Sequence, residues 1–328
     1  MVTENPYVKQ FPDMMAGKTV LYCHGFASSG QSGTVERLRT VMPQARIVAP
    51  DLPVHPQEAI DLLHCICRDE QPHLIIGTSM GGMYAEQLYG YDRICVNPAM
   101  EMGETMKAHG MTGTQQFQNP RRDGIQEFYV DKALVKEYKE VSEHRFEGAD
   151  DQERQRVIGL FGDEDTTVDT YDLFRAVYPQ AIHFHGEHRM NDKSFMHSVV
   201  PVIRWIDDRQ EHRERPIIYI GVETMMDSFR KPASSVQKTV RQLIEHYQVY
   251  FVDGTDSLAA TAAWLEDYIN VPAWHHTVYT HRRDLLYGDY LISQGAEGDP
   301  MATLLDYSSD TFKTWEDIGE YFSRLGGQ

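Results

Sequence analysis

The sequence predicts an α/β protein: a mostly parallel sheet with helices on both faces, followed by a second, smaller α/β domain. Three observations predict it. Short apolar runs alternate with amphipathic stretches along the first 210 residues, the alternation that builds parallel sheets from strand–helix–strand units. A charged run, Asp207–Pro216, then closes on a proline, and the alternation restarts behind it. The chain's 328 residues also exceed the roughly 150 of a typical domain. Domains over residues 1–210 and 215–328 are therefore expected.

Taken in order, Thr19–Cys23 reads as a buried strand, with a Gly/Ser loop and a helix near Thr34–Val41 behind it. Ala45–Ala49 is the next strand, with a helix around Gln57–Arg68. His73–Gly77 is a strand leading into a helix from Gly81 to Tyr89, and Arg93–Val96 is another strand. Residues 98–150 break the rhythm: they are polar, carry Met100, Met102, Met106 and Met111, and hold one clear helix near Val130–Glu143. Such an excursion is either a lid over a site or a surface insertion. Strand Val157–Phe161, a helix at Tyr171–Val177, strand Ala181–His185 and a helix towards Trp205 complete the series, with Pro201 expected to start or kink the last helix. Beyond the charged run come strand Ile217–Ile220, helix Ser234–Tyr247, strand Val249–Val252, helix Ser257–Tyr268 and a final helix Thr314–Leu325.

Composition narrows the function classes. Lys and Arg number 31 against 49 Asp and Glu, a formal charge of −18, which argues against nucleic-acid and membrane partners because both demand clustered positive charge. The four cysteines (Cys23, Cys65, Cys67, Cys95) form no zinc pattern and are too sparse for a disulfide scaffold. Cys65-Ile-Cys67 lies in an apolar helical stretch, so both are expected as buried thiols. Met1–Lys18 has no apolar core of a signal peptide, and no apolar run reaches 18 residues. A soluble, cytoplasmic protein is the expectation.

The chemistry concentrates in the first domain. Gly77-Thr-Ser79-Met-Gly81 is a G-x-S-x-G sequence placed between a strand and a helix, the context of a nucleophile elbow. The flanking glycines answer a steric need, since the turn strains the serine backbone and brings its neighbours close. A serine hydroxyl needs a base, and the base an orienting acid. In this architecture they follow in the order Ser, Asp/Glu, His. Asp165 follows strand 157–161, with Asp163 as the alternative acid. His188 follows strand 181–185, with His183, His185 and His197 as rival bases. His188 has the best loop position. Backbone N–H groups of Met80 and of Phe26, in His24-Gly25-Phe26, are the expected oxyanion donors. His183-x-His185-x-x-His188 also permits a metal-ligand reading, although the triad already accounts for His188. No metal or cofactor is otherwise called for.

Residues 19–206 resemble the YqiA/YcfP-type bacterial esterases of the α/β-hydrolase superfamily. The resemblance rests on Leu21–Phe26, Ala49–Pro53, Gly77–Gly82, Asn97–Ala99, Gly162–Glu164 and Gly186–His188, in that order. It implies a carboxylic-ester hydrolase acting on short acyl chains, with Ser79 as nucleophile and His188 as base. A thioesterase, or a binding or regulatory protein with a vestigial hydrolase site, is the alternative.

Residues 215–325 resemble, more weakly, haloacid-dehalogenase-like (HAD-like) phosphatases of the 5′(3′)-deoxyribonucleotidase type, chiefly through Thr280–Ile292 and Thr314–Asp317. The resemblance implies a Rossmann-like fold with an aspartate nucleophile after the first strand and an Asp-x-Asp pair for Mg²⁺. Here Gly221 stands at the nucleophile position, Glu223 at the second aspartate, Ser293 at the metal-binding aspartate and Arg283 at the lysine. Glycine cannot form an aspartyl-phosphate, and the lost carboxylates leave little to hold Mg²⁺. A catalytically inactive domain is expected, with Arg283 open to an anion.

Overall fold

The central strands of the first sheet bury both faces, which is why their apolar runs are nearly continuous. The computed structural model describes residues 13–184, 186–226, 228–269, 276–295, 300, 302–307 and 309–325. The chain divides into two compact units between Asp207 and Asp208.

The first unit runs β1 Thr19–Cys23, α1 Gly33–Val41, β2 Arg46–Val48, α2 Pro56–Glu70, β3 Leu74–Thr78, α3 Met80–Glu86 and β4 Arg93–Val96. It continues with α4 Met102–Ala108, β5 Gly113–Gln116, β6 Glu127–Val130, α5 Lys132–Glu143, α6 Asp151–Arg156, β7 Val157–Gly162, α7 Tyr171–Arg175 and β8 Ala181–Phe184. A helical turn α8 Asp192–Ser194 leads through a π-helical turn, Phe195–Val199, into α9 Val200–Gln210. The six strands of the main sheet are parallel in the order β2-β1-β3-β4-β7-β8. Strand order reverses between β1 and β3, so a crevice opens beyond their carboxyl ends.

Side chains alternate between two cores. Leu21, Cys23 and Ile75 face one, with Ala59 and Leu63 of α2, Met83 of α3 and Tyr138 of α5. Val20, Tyr22, Leu74 and Ile76 face the other, with Leu38 of α1 and Val202 and Ile203 of α9. Cys67 joins the first core while Cys65 is exposed, which corrects the expectation for Cys65. Residues two apart on a helix point in nearly opposite directions, so only one can face the sheet.

Residues 98–150 pack over the carboxyl edge. The Gln118 amide donates to Ala27 O at 2.8 Å, Asn119 Nδ2 to Ser28 Oγ at 3.1 Å and Tyr138 Oη to Val54 O at 2.9 Å. These bonds tie the antiparallel β5–β6 hairpin region and α5 to the loops that follow β1 and β2. Helix α5 starts where the Asp131 side chain accepts the Leu134 amide, and it buries Leu134, Val135, Tyr138 and Val141 along one face. Pro201 sits one residue into α9 behind the π-helical turn, consistent with its missing N–H.

The charged run is less of a linker than its composition suggests, because α9 extends through it to Gln210. Asp207 is buried at 1% exposure; its carboxylate accepts Lys18 Nζ at 2.6 Å and the Met15 amide at 3.1 Å.

The second unit runs β9 Ile217–Gly221, α10 Ser234–His246, β10 Gln248–Asp253, α11 Leu258–Tyr268, β11 Thr277–Tyr279, β12 Tyr290–Ser293, β13 Thr303–Asp306 and α12 Trp315–Arg324. Its five strands are parallel in the order β11-β10-β9-β12-β13, with the first strand central. Helix α10 buries Val236, Val240 and Leu243 at helical spacing, and α12 begins in a capping box between Thr314 and Asp317. Among the described residues no helix is long and apolar enough to cross a membrane.

The Lys18–Asp207 pair yields a stability test. Asp207→Ala removes a buried partner and is expected to destabilise the first unit by roughly 3–5 kcal/mol, read by urea unfolding. The double change Lys18→Met/Asp207→Leu should recover most of that loss, because both charges leave together.

Candidate active site

The G-x-S-x-G segment forms the turn between β3 and α3. Ser79 sits at φ 55°, ψ −120°, a left-handed conformation costly for a residue with a side chain. The glycines around it are required by contact. A Cβ on Gly77 would run into the Gly81 carbonyl and Ala85, and one on Gly81 into the Cys23 carbonyl. The Ser79 amide donates to Val96 O at 2.9 Å, and its carbonyl accepts the Ala99 amide at 3.0 Å. The ends of β1, β3 and β4 thus converge on one residue.

Three of the expected side chains meet there. Ser79 Oγ lies 3.0 Å from His188 Nε2, and His188 Nδ1 lies 2.7 Å from Asp165 Oδ2. Asp165 is 4% exposed in its side chain and His188 18%. Burial pushes the Asp165 carboxyl up, but hydrogen bonds from His188 and from the Thr167 and Val168 amides outweigh it and hold the group below its ordinary value. The acid is therefore a carboxylate. His188 donates from Nδ1 to it, which leaves Nε2 bare to accept the Ser79 hydroxyl.

The alternatives fall elsewhere. Asp163 accepts the Gly186 amide at 3.0 Å and shapes the loop before His188. His183 is exposed and stacks on Tyr171, ring centroids 3.9 Å apart. His185 lies outside the described residues, as does the side chain of His197 within the π-helical turn. Both His188 ring nitrogens are already engaged, and among the described residues no three His, Cys, Asp or Glu side chains could hold a metal ion.

The loop after β1 brings Phe26 beside the serine. Among the described residues neither the Phe26 nor the Met80 amide has an acceptor within the protein. His24 sets this loop. Its Nε2 accepts the Leu52 amide at 3.0 Å, so the ring proton is on Nδ1, which donates to Gly25 O at 2.9 Å. Burial lowers the His24 pKa to about 4. Asn97, at φ 43°, holds the other side: its Nδ2 donates to Glu187 O at 3.1 Å and His188 O at 3.0 Å, and its Oδ1 accepts the Gly162 amide at 2.7 Å. The sequence assigned neither residue a role. An Asn-Pro after a strand reads as a turn, and its partners lie far along the chain.

Ser79 and His188 open onto a cavity of about 440 Å³. Met102, Met111, Gln118 and Asn119, all from residues 98–150, line it, so this segment covers the site.

In the second unit the positions expected to hold phosphatase chemistry also converge. Arg283 donates through both terminal nitrogens to Glu223, at 2.6 and 2.7 Å, and also to Ser293 Oγ. Burial raises the Glu223 carboxyl, but the Arg283 pair outweighs this and lowers it. The Glu223 carboxylate folds back over Gly221, where any Cβ would meet it. The guanidinium expected to be open to an anion is thus held by an internal one.

The His24 value carries a pH consequence. A group with pKa about 4 folded and about 6.5 unfolded contributes stability that is fully present above pH 6.5. That contribution is lost as pH falls towards 4, by on the order of 3 kcal/mol. His24→Gln keeps an acceptor for Leu52 without the titration. Urea unfolding from pH 7 to 4 should show a steeper loss for the wild type than for His24→Gln.

Solved structures with a similar course of chain include an N-acyl homoserine lactonase, AidH, in complex with N-hexanoyl homoserine lactone. It is 13% identical over 60% of this chain and 92% of its own, with a TM-score of 0.40. The esterase Est1E from Butyrivibrio proteoclasticus is 13% identical over 60% and 88%, with a TM-score of 0.39. A marine microorganism esterase is 15% identical over 60% and 95%, with a TM-score of 0.36. Residues 19–205, more than half of the sequence, match the model of the uncharacterised protein family UPF0227, and the chain belongs to that family.

Proposed function

We propose that the protein is a serine hydrolase that cleaves carboxylic esters of short acyl chains through an acyl-enzyme. The observation that carries this reading is the hydrogen-bonded chain Ser79–His188–Asp165 at a strained strand-to-helix turn. It is supported by the two amides without acceptors beside the serine, and by a family match over the residues that resemble the YqiA/YcfP-type esterases.

Each residue's part follows from its placement. Ser79 Oγ attacks the acyl carbon while its proton passes to His188 Nε2. The oxyanion accepts from the Phe26 and Met80 amides, donors fixed before reaction and therefore stabilising without reorganisation. His188 returns the proton to the leaving alkoxide as the C–O bond breaks. Water then repeats the sequence on the acyl-enzyme and frees the acid and Ser79. Asp165 stays ionised, holding the imidazole tautomer and balancing the imidazolium. A thiol leaving group would use the same steps, so a thioesterase is the alternative within this chemistry. A binding or regulatory role is the alternative outside it.

For the second unit we propose an inactive HAD-like domain. This rests on its parallel sheet with a central first strand and on the grouping of Gly221, Glu223, Arg283 and Ser293 at the strand ends.

Ser79→Ala should lower 4-nitrophenyl ester hydrolysis by on the order of 10⁴–10⁶ and abolish labelling by a fluorophosphonate, with the urea midpoint retained. Equal turnover in a cleanly purified variant would sink the assignment, and a wild type that takes no label would favour the binding role.

The acid is tested separately. Asp165→Asn should cost about 10⁴ in kcat, because an amide stabilises the wrong imidazole tautomer. Asp163→Asn should cost far less, since its carboxylate serves the Gly186 amide. The reverse ranking would move the role to Asp163.

A further inference from the structure

The wall of the serine cavity has a charge unlike that of the chain. Acidic residues outnumber basic ones 49 to 31, yet the lining contains Arg37 and Arg189 and no Asp or Glu side chain. Asp165, the nearest acid to the chemistry, sits behind the His188 ring and does not line the cavity. Arg189 follows His188 directly in sequence, is exposed, and makes no ion pair among the described residues. Arg37 enters from α1 and donates through Nε to Asp192 at 2.5 Å, a carboxylate that is itself 85% exposed. That contact uses one edge of the fork; the terminal nitrogens keep their donors. The lining also carries the hydroxyls of Ser28 and Thr34 and the amide of Asn119, and Phe26, Val96, Met102, Met111 and Met190 supply its apolar part.

This pattern has a physical reading. A net charge of −18 repels anions at long range. A pocket meant for a plain alkyl chain gains nothing from guanidinium groups, which stay better solvated in water than beside methylenes. Cations on a concave wall free of acids instead create a local positive potential that an anion can use, and a guanidinium offers paired donors to two oxygens.

We propose that the cavity takes acyl esters that carry a second, anionic group, a carboxylate or a phosphate, with Arg189 and Arg37 as its receptor. This rests on the serine-hydrolase reading and narrows it from short acyl chains in general to charged ones. The covalent steps are unchanged: the anionic group is bound and is not transformed.

The test compares three 4-nitrophenyl esters of similar length: the hexanoate, the mono-glutarate and the 4-phosphonobutyrate. Wild-type protein should show a kcat/KM for at least one charged ester about tenfold or more above the hexanoate, a preference that shrinks with added salt. Whichever charged ester leads identifies the anion. Arg189→Gln should reduce the charged-to-neutral ratio by about tenfold, the loss of one charge-assisted contact. Arg189→Lys, which keeps the charge without the fork, should restore part of it. Hexanoate turned over as well as both charged esters, or a ratio unmoved by Arg189→Gln, would overturn the proposal while leaving the serine hydrolase intact. If no ester is turned over and no fluorophosphonate label appears, it is the hydrolase reading that falls. Calorimetric titration with glutarate and with propylphosphonate, which needs no turnover, then still decides the receptor: wild-type binding lost in Arg189→Gln supports it, and no binding of either overturns it.

Discussion

The site depends on one backbone conformation, that of Ser79 at φ 55° and ψ −120°. A residue with a side chain held there costs roughly 1–3 kcal/mol and persists only where its surroundings over-determine it. They do so through close approach. Gly77 lies against the Gly81 carbonyl, and Gly81 against the end of β1 at the Cys23 carbonyl. The Ser79 amide and carbonyl are fixed by Val96 and Ala99 at the end of β4. Three strand ends are brought so near that only glycine fits between them, and the serine is what projects from the junction. The same crowding reaches Gly25, where a Cβ would come within 3.3 Å of both the Ser79 Cβ and the Thr78 carbonyl.

Holding the serine would achieve little if the histidine loop drifted, and here one buried side chain does the tying. Asn97 spends both amide hydrogens on the carbonyls of Glu187 and His188 and its oxygen on the Gly162 amide. The end of β4 therefore positions the loops after β7 and β8, which carry Asp165 and His188. Neither carboxylate nor lysine could replace it, because the site needs two donors and one acceptor in a plane. Its left-handed φ of 43° suits asparagine better than most residues. Asp165 is fixed in turn by accepting two amides of its own loop through Oδ1, which leaves Oδ2 for the imidazole.

What was legible in the sequence follows from the range of each interaction. The central strands β1, β3, β4 and β7 are buried on both faces, so their apolar runs announce them; Gly77 answers contacts within a few residues, whereas Gly81 answers the Cys23 carbonyl at the end of β1. Order alone leaves Asp165 and Asp163 both open, since both sit past the same strand; which carboxylate turns towards His188 is a matter of loop geometry. The hairpin β5–β6 is silent in the sequence because Gly113-Thr-Gln-Gln116 is half-exposed and polar, so it carries no hydrophobic period. The strands β11 and β13 are short, three and four residues, and only partly buried. Asn97, His24 and Arg189 were opaque for another reason. Each acts through partners separated from it along the chain or through a cavity wall assembled from many segments.

The second unit shows how a position without a side chain shapes its neighbours. The Glu223 carboxylate lies in the space that a Cβ at position 221 would enter, and from there it reaches Arg283. A side chain at 221 would make the Glu223 carboxylate shift from the place where it meets Arg283. With glycine present, Glu223 supplies Arg283 with a permanent bidentate partner, and Ser293 completes the cluster where a further acid would have repelled it. Each group at this edge is satisfied by its neighbours. The same residue types that in other company would hold a metal and a phosphate here satisfy one another, and the strand ends are closed by an ion pair of their own.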